Sequence, residues 1–416
     1  MTSLWSLWQT TAVRCAGKPV VIDADSGRTW TATQLTAEAE HIATMFRGPY
    51  APICQPNGAL WLATFLAIQK IGAAAVPLDV SLPPDVQRET IRALSLRSKL
   101  RPVCCVKLTS GTTGDLKRVF CSVTNLRADG EHIIRTMGLR PADRNLAIIP
   151  LGHSYGLGNL VMPLLLQGTT VVCAQAFVPR QILRLIEEHE VTVLPTVPAI
   201  LRALAQLEGA TKPPSLRLVI SAGAPLTAEV AQQFRQRYGI KIHNFYGSSE
   251  TGGICYDRTG TATLNGRSVG KPLGGVKVKI RRDGRVAVNS PAGKATLPDL
   301  GEWNRYGELR LLGRVGEVAN IGGKKIAPAE IERALRELHG VSDAWVTVLQ
   351  DKRGHDYLAA AVETTRARVE IEQELLRILP AWKLPKTWLL APALPRTDRG
   401  KLHTAELRAR LSVSSP

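Results

Sequence analysis

Acidic side chains are scarce in this 416-residue chain, and several other features are missing altogether. It has 35 Asp and Glu against 53 Lys and Arg, a net charge of +18, so we expect an anionic partner: a nucleotide, an acidic protein, an acidic membrane or nucleic acid. Zinc-finger spacing and the aromatic-basic sheet signature of RNA-binding modules are absent, which disfavours nucleic acid. The longest apolar stretch, Leu146 to Leu166, is interrupted by Pro150 and several glycines, so no membrane span is expected.

Paired cysteines are also lacking. The seven cysteines are an odd number and contain no Cys-x-x-Cys pair, so no disulfide or zinc framework is indicated. Cys104 and Cys105 lie inside the apolar run Pro102 to Val106, where free cysteine behaves as a small buried hydrophobe. A reducing, cytoplasmic location is therefore predicted.

The first residues of the chain lack acids and are amphipathic, which is compatible with a transit peptide. The apolar spacing of Leu4, Trp5, Leu7, Trp8 and Val13 is equally that of a first helix. We favour the helix, because the segment runs directly into a strand, a turn and a helix cap.

A chain of this length is too long for one core, so two or more domains are expected. Short apolar runs alternate with amphipathic segments through the first three quarters, which predicts a large, layered α/β region with a largely parallel sheet. Asp283-Gly284, between two alternating runs, predicts a two-residue turn in a β-hairpin subdomain. A smaller α+β unit follows, so we place an N-terminal domain at residues 1–313 and a C-terminal domain at residues 314–416.

The sharpest local feature is the run Thr109–Lys117, which follows the apolar strand Val103 to Val106. Glycines free the backbone to turn its N–H groups onto an anion, hydroxyls add donors, and Lys117 supplies a point charge. A nucleoside triphosphate needs such a loop. The run does not fit the P-loop pattern, because its lysine stands three residues after Gly114 and no Ser or Thr follows it. Taken alone, a polar turn without a function explains these residues equally well.

The same run resembles the phosphate-binding loop of the adenylate-forming superfamily, which includes acyl-CoA and aryl-CoA synthetases, peptide adenylation domains and firefly-type luciferases. The resemblance assigns nucleotide binding to the loop residues Thr109, Ser110, Gly111, Thr112, Thr113 and Gly114. It assigns a catalytic role to Lys117. Leu116 replaces the usual proline, a departure that is expected to loosen the loop.

Asn244–Thr251 resembles the aromatic-Gly-x-Thr-Glu segment of the same superfamily. The resemblance implies that Tyr246 stacks near the adenine, with Gly247 as the motif glycine. It also implies that Ser249 contacts the α-phosphate and that Glu250 holds Mg²⁺. A carboxylate oxygen is the expected ligand for Mg²⁺ on phosphates; a buried structural glutamate is the alternative.

Asp299 and Arg314 match the family residues that contact the ribose, the arginine standing just before the hinge between the domains. The hinge position, often Asp or Lys in the family, is Gly316 here. Glycine permits the backbone rotation between catalytic states. The resemblance therefore implies a mobile C-terminal domain.

Two further motifs fall in that domain. Asn320–Glu332 is similar to the loop and helix that swing in for thioester formation, where Gly322 and Gly323 let a pantetheine arm pass close to the backbone. Leu394–Lys401 resembles the catalytic-lysine motif. The resemblance implies that Lys401 reaches the acyl carboxylate and the α-phosphate, where charge must be neutralised as the acyl-phosphate bond forms.

The acid-binding end is less specific. Pro150–Gly158 resembles the segment that places His153 at the acyl pocket, although a structural histidine is equally compatible. The loop expected to line the acyl and adenine sites contains Gly223, Ala224 and Pro225. No aspartate is placed to bind an α-amino group, which disfavours amino acids and favours a fatty or aromatic acid.

Together the motifs imply a ligase that uses ATP and Mg²⁺ to turn a small carboxylic acid into its acyl-AMP, with release of pyrophosphate, and then transfers the acyl group to coenzyme A. An alternative acceptor is the phosphopantetheine of an acidic acyl carrier protein, which the net charge of +18 favours. A second alternative is a degenerate protein that binds an acyl-nucleotide without turnover, suggested by Leu116, Gly316 and shortened stretches before Lys107 and after Glu250. The motifs carry no signal for one particular acid or for an oligomeric state.

Overall fold

The computed structural model describes residues 3–78, 84–95, 103–110, 116–175, 178–315, 319–321, 324–326, 328–351, 355–397 and 402–413. The chain divides into two units. Unit 1 comprises Met1–Val278 with Val288–Ala295, and unit 2 comprises Lys279–Ala287 with Thr296–Pro416. The domain boundary predicted between residues 313 and 314 falls inside unit 2 and stays a prediction.

Helices and strands alternate through unit 1. Its first part contains α1 (Leu4–Arg14), β1 (Pro19–Asp23), β2 (Arg28–Thr31), α2 (Ala32–Ala43), β3 (Tyr50–Ile53), α3 (Ala59–Lys70), β4 (Ala74–Pro77), α4 (Pro84–Ser95), β5 (Cys105–Ser110), β6 (Leu116–Cys121) and α5 (Val123–Met137). Its second part contains β7 (Arg144–Ala147), α6 (Ser154–Gly156), a π-helical turn (Leu157–Val161), α7 (Met162–Gln167), β8 (Thr170–Cys173), α8 (Pro179–Glu188), β9 (Val193–Thr196), α9 (Pro198–Gln206), β10 (Leu218–Ser221), α10 (Ala228–Tyr238), β11 (Ile242–Ser248), β12 (Gly252–Tyr256), α11 (Thr261–Leu264) and β13 (Lys271–Pro272).

The rest of the chain is richer in strands. Its elements are β14 (Lys277–Ile280), β15 (Arg285–Ser290), β16 (Gly293–Trp303), β17 (Leu309–Arg314), β18 (Ala319–Ile321), β19 (Lys324–Ile326), α12 (Pro328–Arg336), β20 (Val341–Gln350), β21 (Asp356–Thr364), α13 (Arg368–Ile378), a 3₁₀ turn (Ala381–Lys383), β22 (Thr387–Ala391) and α14 (Thr404–Val413). They form sheets in the orders β14-β15-β16-β17, β18-β19 and β20-β21-β22.

A nine-stranded sheet, in the order β13-β12-β11-β10-β9-β7-β8-β1-β2, is the centre of unit 1. The strands from β11 to β1 in that order are parallel, and antiparallel pairs occur only toward the two edges. Strands β8, β9 and β10 are buried at every position, which is typical of the central strands of a parallel sheet that helices cover on both faces. The prediction of a layered α/β region with a largely parallel sheet is confirmed.

A second sheet of unit 1, in the order β3-β4-β5-β6, carries both ends of the run Thr109–Lys117, termed the Thr/Gly run. Strands β3, β4 and β5 are parallel, and β6 returns antiparallel to β5 with Thr109 opposite Lys117. Val106 on β5 packs into a cluster with Val76, Tyr50 and Leu94. The chain therefore holds both ends of the run in one hairpin, while residues 111–115 lie outside the described part.

The predicted first helix is α1, with Leu4, Trp5 and Trp8 buried. Val13 was expected on the same apolar face, but it is 80% exposed. It stands five residues after Trp8, about 140° round a helix with 3.6 residues per turn, so it points away from the core.

The apolar stretch Leu146–Leu166 contains the end of strand β7 and three consecutive helical segments. The π-helical turn is buried throughout, and Gly158 in it packs against α5, with Ile133 Cδ1 only 2.7 Å from the place where a Cβ would stand. Among the described residues, no helix is both long and apolar enough to cross a membrane.

Helix α5 begins at a capping box. The Ser122 hydroxyl accepts the Asn125 N–H at 3.2 Å, and the Asn125 side chain accepts the Ser122 N–H at 2.9 Å. We expect Ser122→Ala to lower the free energy of unfolding by about 1 kcal/mol, because the Asn125 N–H at the helix start loses its acceptor. Thr124→Ala, at an exposed site in the same turn, is the control and should change it by less than about 0.5 kcal/mol. Equal effects of the two substitutions in urea denaturation would contradict a capping role.

Unit 2 contains the predicted α+β layer. Strand β21 lies between β20 and β22 and alternates its side chains between two clusters. Leu358 and Val362 pack with Ile331 of α12 and Leu375 of α13, whereas Tyr357 and its neighbours pack with Leu407 and Leu411 of α14. Helices thus cover both faces of one short sheet.

The hairpin predicted at Asp283-Gly284 is present, but its two-residue turn is wrong. Arg281 donates its N–H to the carbonyl of Arg285 at 2.9 Å, and Gly284 donates to the carbonyl of Arg281 at 2.9 Å. The loop therefore holds three residues, with Gly284 at φ +82°. A turn followed by a glycine in the left-handed region is the usual geometry of three-residue hairpin loops.

Candidate active site

Two residues from distant motifs form the centre of the candidate site. Lys117 of β6 donates a hydrogen bond to Oε1 of Glu250, 133 positions later in the chain. The Lys117 side chain is 58% exposed and that of Glu250 is 26% exposed, so the pair lies at the surface of unit 1 and is accessible to a ligand. A lysine and a carboxylate side by side can bind a phosphate and its metal ion together.

Glu250 stands on a tight connection between β11 and β12, residues 249–251, which we term the Glu250 loop. Thr251 donates its N–H to the Ser248 hydroxyl at 3.3 Å, and the two hydroxyls lie 3.0 Å apart. Gly247 precedes it at an irregularity in strand pairing, and a Cβ there would stand 2.8 Å from the Gly252 carbonyl. Glycine is therefore required at Gly247 for the two strands to approach.

The charge state of Glu250 follows from its neighbours. Burial alone would raise the pKa of its carboxyl group, but the hydrogen bond and the positive charge of Lys117 outweigh burial and lower the pKa below its ordinary value of 4.5. Glu250 is therefore ionised at neutral pH, as a metal ligand must be.

This lowered pKa predicts a pH-dependent effect on stability. Ionised Glu250 stabilises the folded chain above pH 4.5, and the contribution disappears as the pH falls through the lowered pKa. We expect Glu250→Gln to be less stable than the wild type at neutral pH and equally stable in acid. Urea denaturation across the acid range measures both proteins, with Lys117→Met as a background in which the difference should shrink. A difference that does not change with pH would contradict this assignment.

Three parallel strands bring further predicted residues to the same edge of the main sheet. His153 follows β7, Gly223 follows β10 and the Glu250 loop follows β11, so all three lie at carboxyl ends of the sheet. Ligands of open α/β sheets bind at this edge. The Ser154 hydroxyl, next to His153, donates to the Ser249 hydroxyl at 2.9 Å.

His153 itself has a structural contact. Its Nδ1 accepts the Tyr155 N–H at 3.4 Å at the start of α6, and its residue surface is exposed. The buried Tyr155 hydroxyl donates to the Ile220 carbonyl on β10 at 3.1 Å. The segment that carries His153 is thereby fixed to the strand that precedes Gly223. A catalytic role for His153 stays a prediction.

The remaining predicted residues of unit 1 are placed around this edge. Gly223 has φ +86°, and Gly223, Ala224 and Pro225 are exposed after β10. Tyr246 is half-buried on β11, opposite Cys255. Gly111, Thr112, Thr113 and Gly114 lie outside the described residues, as do the side chains of Thr109 and Ser110.

In unit 2, Asp299 of β16 and Arg314 of β17 are direct cross-strand partners. Arg314 Nε donates to Asp299 Oδ1 at 2.8 Å, with the aspartate side chain 12% and the arginine 55% exposed. The pairing orients the carboxylate that the family motif assigns to the ribose. The other residues predicted in this part of the chain, Gly316, Gly322, Gly323 and Lys401, lie outside the described residues.

Two buried charged residues beside the site were not predicted. Lys107 on β5 is 4% exposed and Asp129 on α5 is 5% exposed. The signal for Lys107 is a lysine among apolar strand residues, Val106 and Leu108. Asp129 gives no such signal, because a mid-helix aspartate usually belongs to a solvated face.

The fold, the hairpin around the Thr/Gly run and the Lys117–Glu250 pair together define a protein of the adenylate-forming class. The family model described as AMP-binding enzyme matches residues 8–97 and 95–294. The chain belongs to this family, and the resemblance stated from its motifs is confirmed.

Individual relatives agree with this assignment. A sulfoacetate–CoA ligase of Cupriavidus necator is 30% identical over an alignment of 334 residues that covers 72% of this chain and 65% of the relative, so the chain spans less than two thirds of that protein. A feruloyl-CoA synthase of an Amycolatopsis species is 27% identical over 85% of this chain and 87% of its own length. Among solved structures, the o-succinylbenzoate CoA synthetase of Bacillus subtilis with its acyl-adenylate intermediate has a TM-score of 0.86, at 23% identity and 98% coverage of both chains. That last likeness shows the fold.

Proposed function

We propose that this chain activates a carboxylic acid with ATP as its acyl-AMP and then transfers the acyl group to the thiol of coenzyme A. The observation that carries the proposal is the contact of Lys117 with Glu250, because two motif residues 133 positions apart meet at the ligand-binding edge of an α/β sheet. The names of the relatives, which are acid–CoA ligases, support the same reaction.

The reaction has two balanced steps. In the first, a carboxylate oxygen attacks the α-phosphorus of ATP, and the bond to the β-phosphate oxygen breaks to release pyrophosphate. In the second, a thiolate attacks the acyl carbon and AMP leaves with the bonding electrons. Neither step needs a protein nucleophile, so catalysis rests on positioning and on stabilising the charge of the phosphates. Lys117 at the phosphate loop and Lys401 at the reacting carboxylate are the proposed sources of positive charge.

Mg²⁺ fits the residues present. Glu250 is ionised and partly exposed, and among the described residues no group of three His, Cys, Asp or Glu side chains forms a metal cage. Mg²⁺ in nucleotide sites takes one or two carboxylates together with phosphate oxygens and waters, a donor set that Glu250 with ATP supplies. When bound, the ion neutralises phosphate charge; Glu250 holds it beside Lys117.

For the acid, we propose a small aromatic or other short-chain carboxylate. The loop at Gly223, Ala224 and Pro225 is exposed and carries small side chains at the sheet edge, which leaves room for a planar ring. The ferulate named for one relative is an aromatic acid. We place the reaction in a reducing cytoplasm, since all seven cysteines are free thiols.

A carrier-protein phosphopantetheine is the second candidate acceptor, favoured by the net charge of +18. An acidic carrier would be attracted over long range, and salt screens such attraction. Raising the ionic strength should then slow transfer to a carrier severalfold while transfer to coenzyme A changes little. Equal salt dependence with both acceptors would favour coenzyme A.

The test is pyrophosphate exchange into ATP with a panel of carboxylic acids and no thiol. At least one acid should support exchange, and Lys401→Ala should abolish most of it by removing charge at the reacting atoms. Lys386→Ala, at an exposed lysine of the same unit, is the matched control and should keep wild-type exchange. Exchange with no acid at all would leave the chain as a binding protein without turnover.

A further inference from the structure

A small polar cavity lies between the Glu250 loop and two buried charged side chains that no family motif includes. Its volume is about 10 Å³, and it is lined in part by Lys107, Cys121, Asn125, Asp129, Ser249 and Gly252. A space of this size holds at most about one water. The charged groups around it are therefore close enough to act on each other and on the loop.

Lys107 is buried because of where β5 lies. Side chains alternate along a strand, so Lys107 points away from the cluster that contains Val106 and toward α5. Among the described residues, none accepts a hydrogen bond from the Lys107 ammonium group. A buried ammonium is unfavourable unless an opposite charge compensates it, and Asp129 lines the same cavity.

Asp129 contacts the backbone that follows the Glu250 loop. Its Oδ1 accepts the Gly253 N–H at 2.8 Å. Gly252 has φ +70°, and a Cβ there would stand 2.3 Å from the same Asp129 oxygen. Burial raises the pKa of Asp129, and the charge of Lys107 and the Gly253 N–H oppose that rise. The carboxylate thus sits directly against the backbone that follows Glu250.

The other side of the loop is closed by backbone. A Cβ added to Gly293 would stand 2.1 Å from the Glu250 carbonyl oxygen, so residue 293 touches Glu250 itself. Asn125, one turn before Asp129 on α5, donates to the Pro291 carbonyl at 3.0 Å. Helix α5 therefore contacts both segments that enclose the Glu250 loop.

We propose that Asp129 is a positioning residue for Glu250, and that the buried Lys107 ammonium is the counter-charge that holds the Asp129 carboxylate against Gly252 and Gly253. An effect of Asp129 on nucleotide binding is expected only if the proposed function is correct. Its structural part concerns the free protein.

The first readout is hydrogen exchange of the segment 247–256 in the full-length chain without nucleotide. Asp129→Ala removes the acceptor of the Gly253 N–H, and exchange there should quicken by about tenfold or more. Asp129→Asn keeps an acceptor but leaves Lys107 buried without a counter-charge, so exchange should also quicken. The double substitution Lys107→Met with Asp129→Asn removes both charges and keeps the acceptor, and should return exchange to within about threefold of wild type.

The second readout is the affinity for MgATP relative to AMP without metal, by calorimetry. Asp129→Ala should weaken MgATP about tenfold and AMP no more than about twofold, because only MgATP uses Glu250 through the metal. Ile133→Ala is the control: this residue is 1% exposed on the same helix and packs on Gly158. It should lower stability without changing the affinity ratio.

Two results would overturn the inference. One is an effect of Ile133→Ala on loop exchange and on the affinity ratio as large as that of Asp129→Ala, which would mean that α5 packing alone is responsible. The other is a double variant no closer to wild type than Asp129→Asn. If the wild type binds neither AMP nor MgATP, the proposed function is contradicted, while hydrogen exchange still decides whether Asp129 and Lys107 position the loop.

Discussion

Glu250→Gln is expected to lower the pyrophosphate exchange supported by a carboxylic acid substrate by about 100-fold or more. This is the loss typical when one group that stabilises transition-state charge is removed. Glutamine keeps the size of the side chain and one oxygen, but it loses the charge that binds Mg²⁺ and pairs with Lys117. The affinity for AMP without metal should stay within about twofold, since the nucleoside contacts lie elsewhere in the motifs.

The matched control for Glu250→Gln is Glu131→Gln. Glu131 also accepts a hydrogen bond from a basic side chain, Arg127 at 2.7 Å, but both are about half exposed on the outer face of α5. An exposed pair of this kind contributes little, so exchange should be unchanged. Similar losses in the two variants, or wild-type exchange in Glu250→Gln, would remove Glu250 from the site.

Gly293→Ala is expected to have the second largest effect, although no family motif includes this residue. The added methyl carbon would stand 2.1 Å from the Glu250 carbonyl and 3.2 Å from the Thr251 Cα. Backbone atoms cannot rotate away as a side chain does, so residue 293 and the Glu250 loop must separate. We expect a loss of about 1–3 kcal/mol in the free energy of unfolding and a fall in exchange of about tenfold or more as Glu250 shifts.

Gly17→Ala separates this steric effect from the general effect of replacing glycine. A Cβ at Gly17 meets nothing within 4 Å, and no left-handed φ applies there. Its stability should change by less than about 0.5 kcal/mol. Denaturant unfolding and exchange are measured for both variants under conditions where both are folded. Indistinguishable variants would contradict the close approach of Gly293 to Glu250.

Much of the fold could be predicted because its signals are local. Mostly apolar runs such as Val193–Thr196 are buried at every position and show no alternation, which is typical of a central parallel strand. The hairpin at Gly284 was also visible, but its loop length depends on which residue takes the left-handed conformation. The exposure of Val13 shows a similar limit for helices. The first apolar residues of the helix indicate its buried face, but they fix only roughly the direction in which a later residue points.

Some residues of the candidate site could likewise be predicted from local motifs, and others could not. Lys117 and Glu250 were found through motifs, while their direct contact depends on how β6 and β11 are placed by two sheets. Lys107 and Asp129 were missed because burial of a charged side chain is a property of tertiary packing. A lysine in a strand and an aspartate in a helix are both ordinary at the surface, and only the position of α5 places Asp129 against Gly252 and Gly253.

The proposed reaction depends on the formation of an acyl-adenylate by this chain. The most direct measurement is mass spectrometry of the nucleotides formed when the purified chain is incubated with ATP, Mg²⁺ and a small-molecule cell extract, with no thiol present. We expect an acyl-AMP whose mass identifies the acid, formed by the wild type and reduced about 100-fold in Glu250→Gln. An extract and an acid panel that yield no acyl-AMP with the wild type, while AMP still binds, would contradict it.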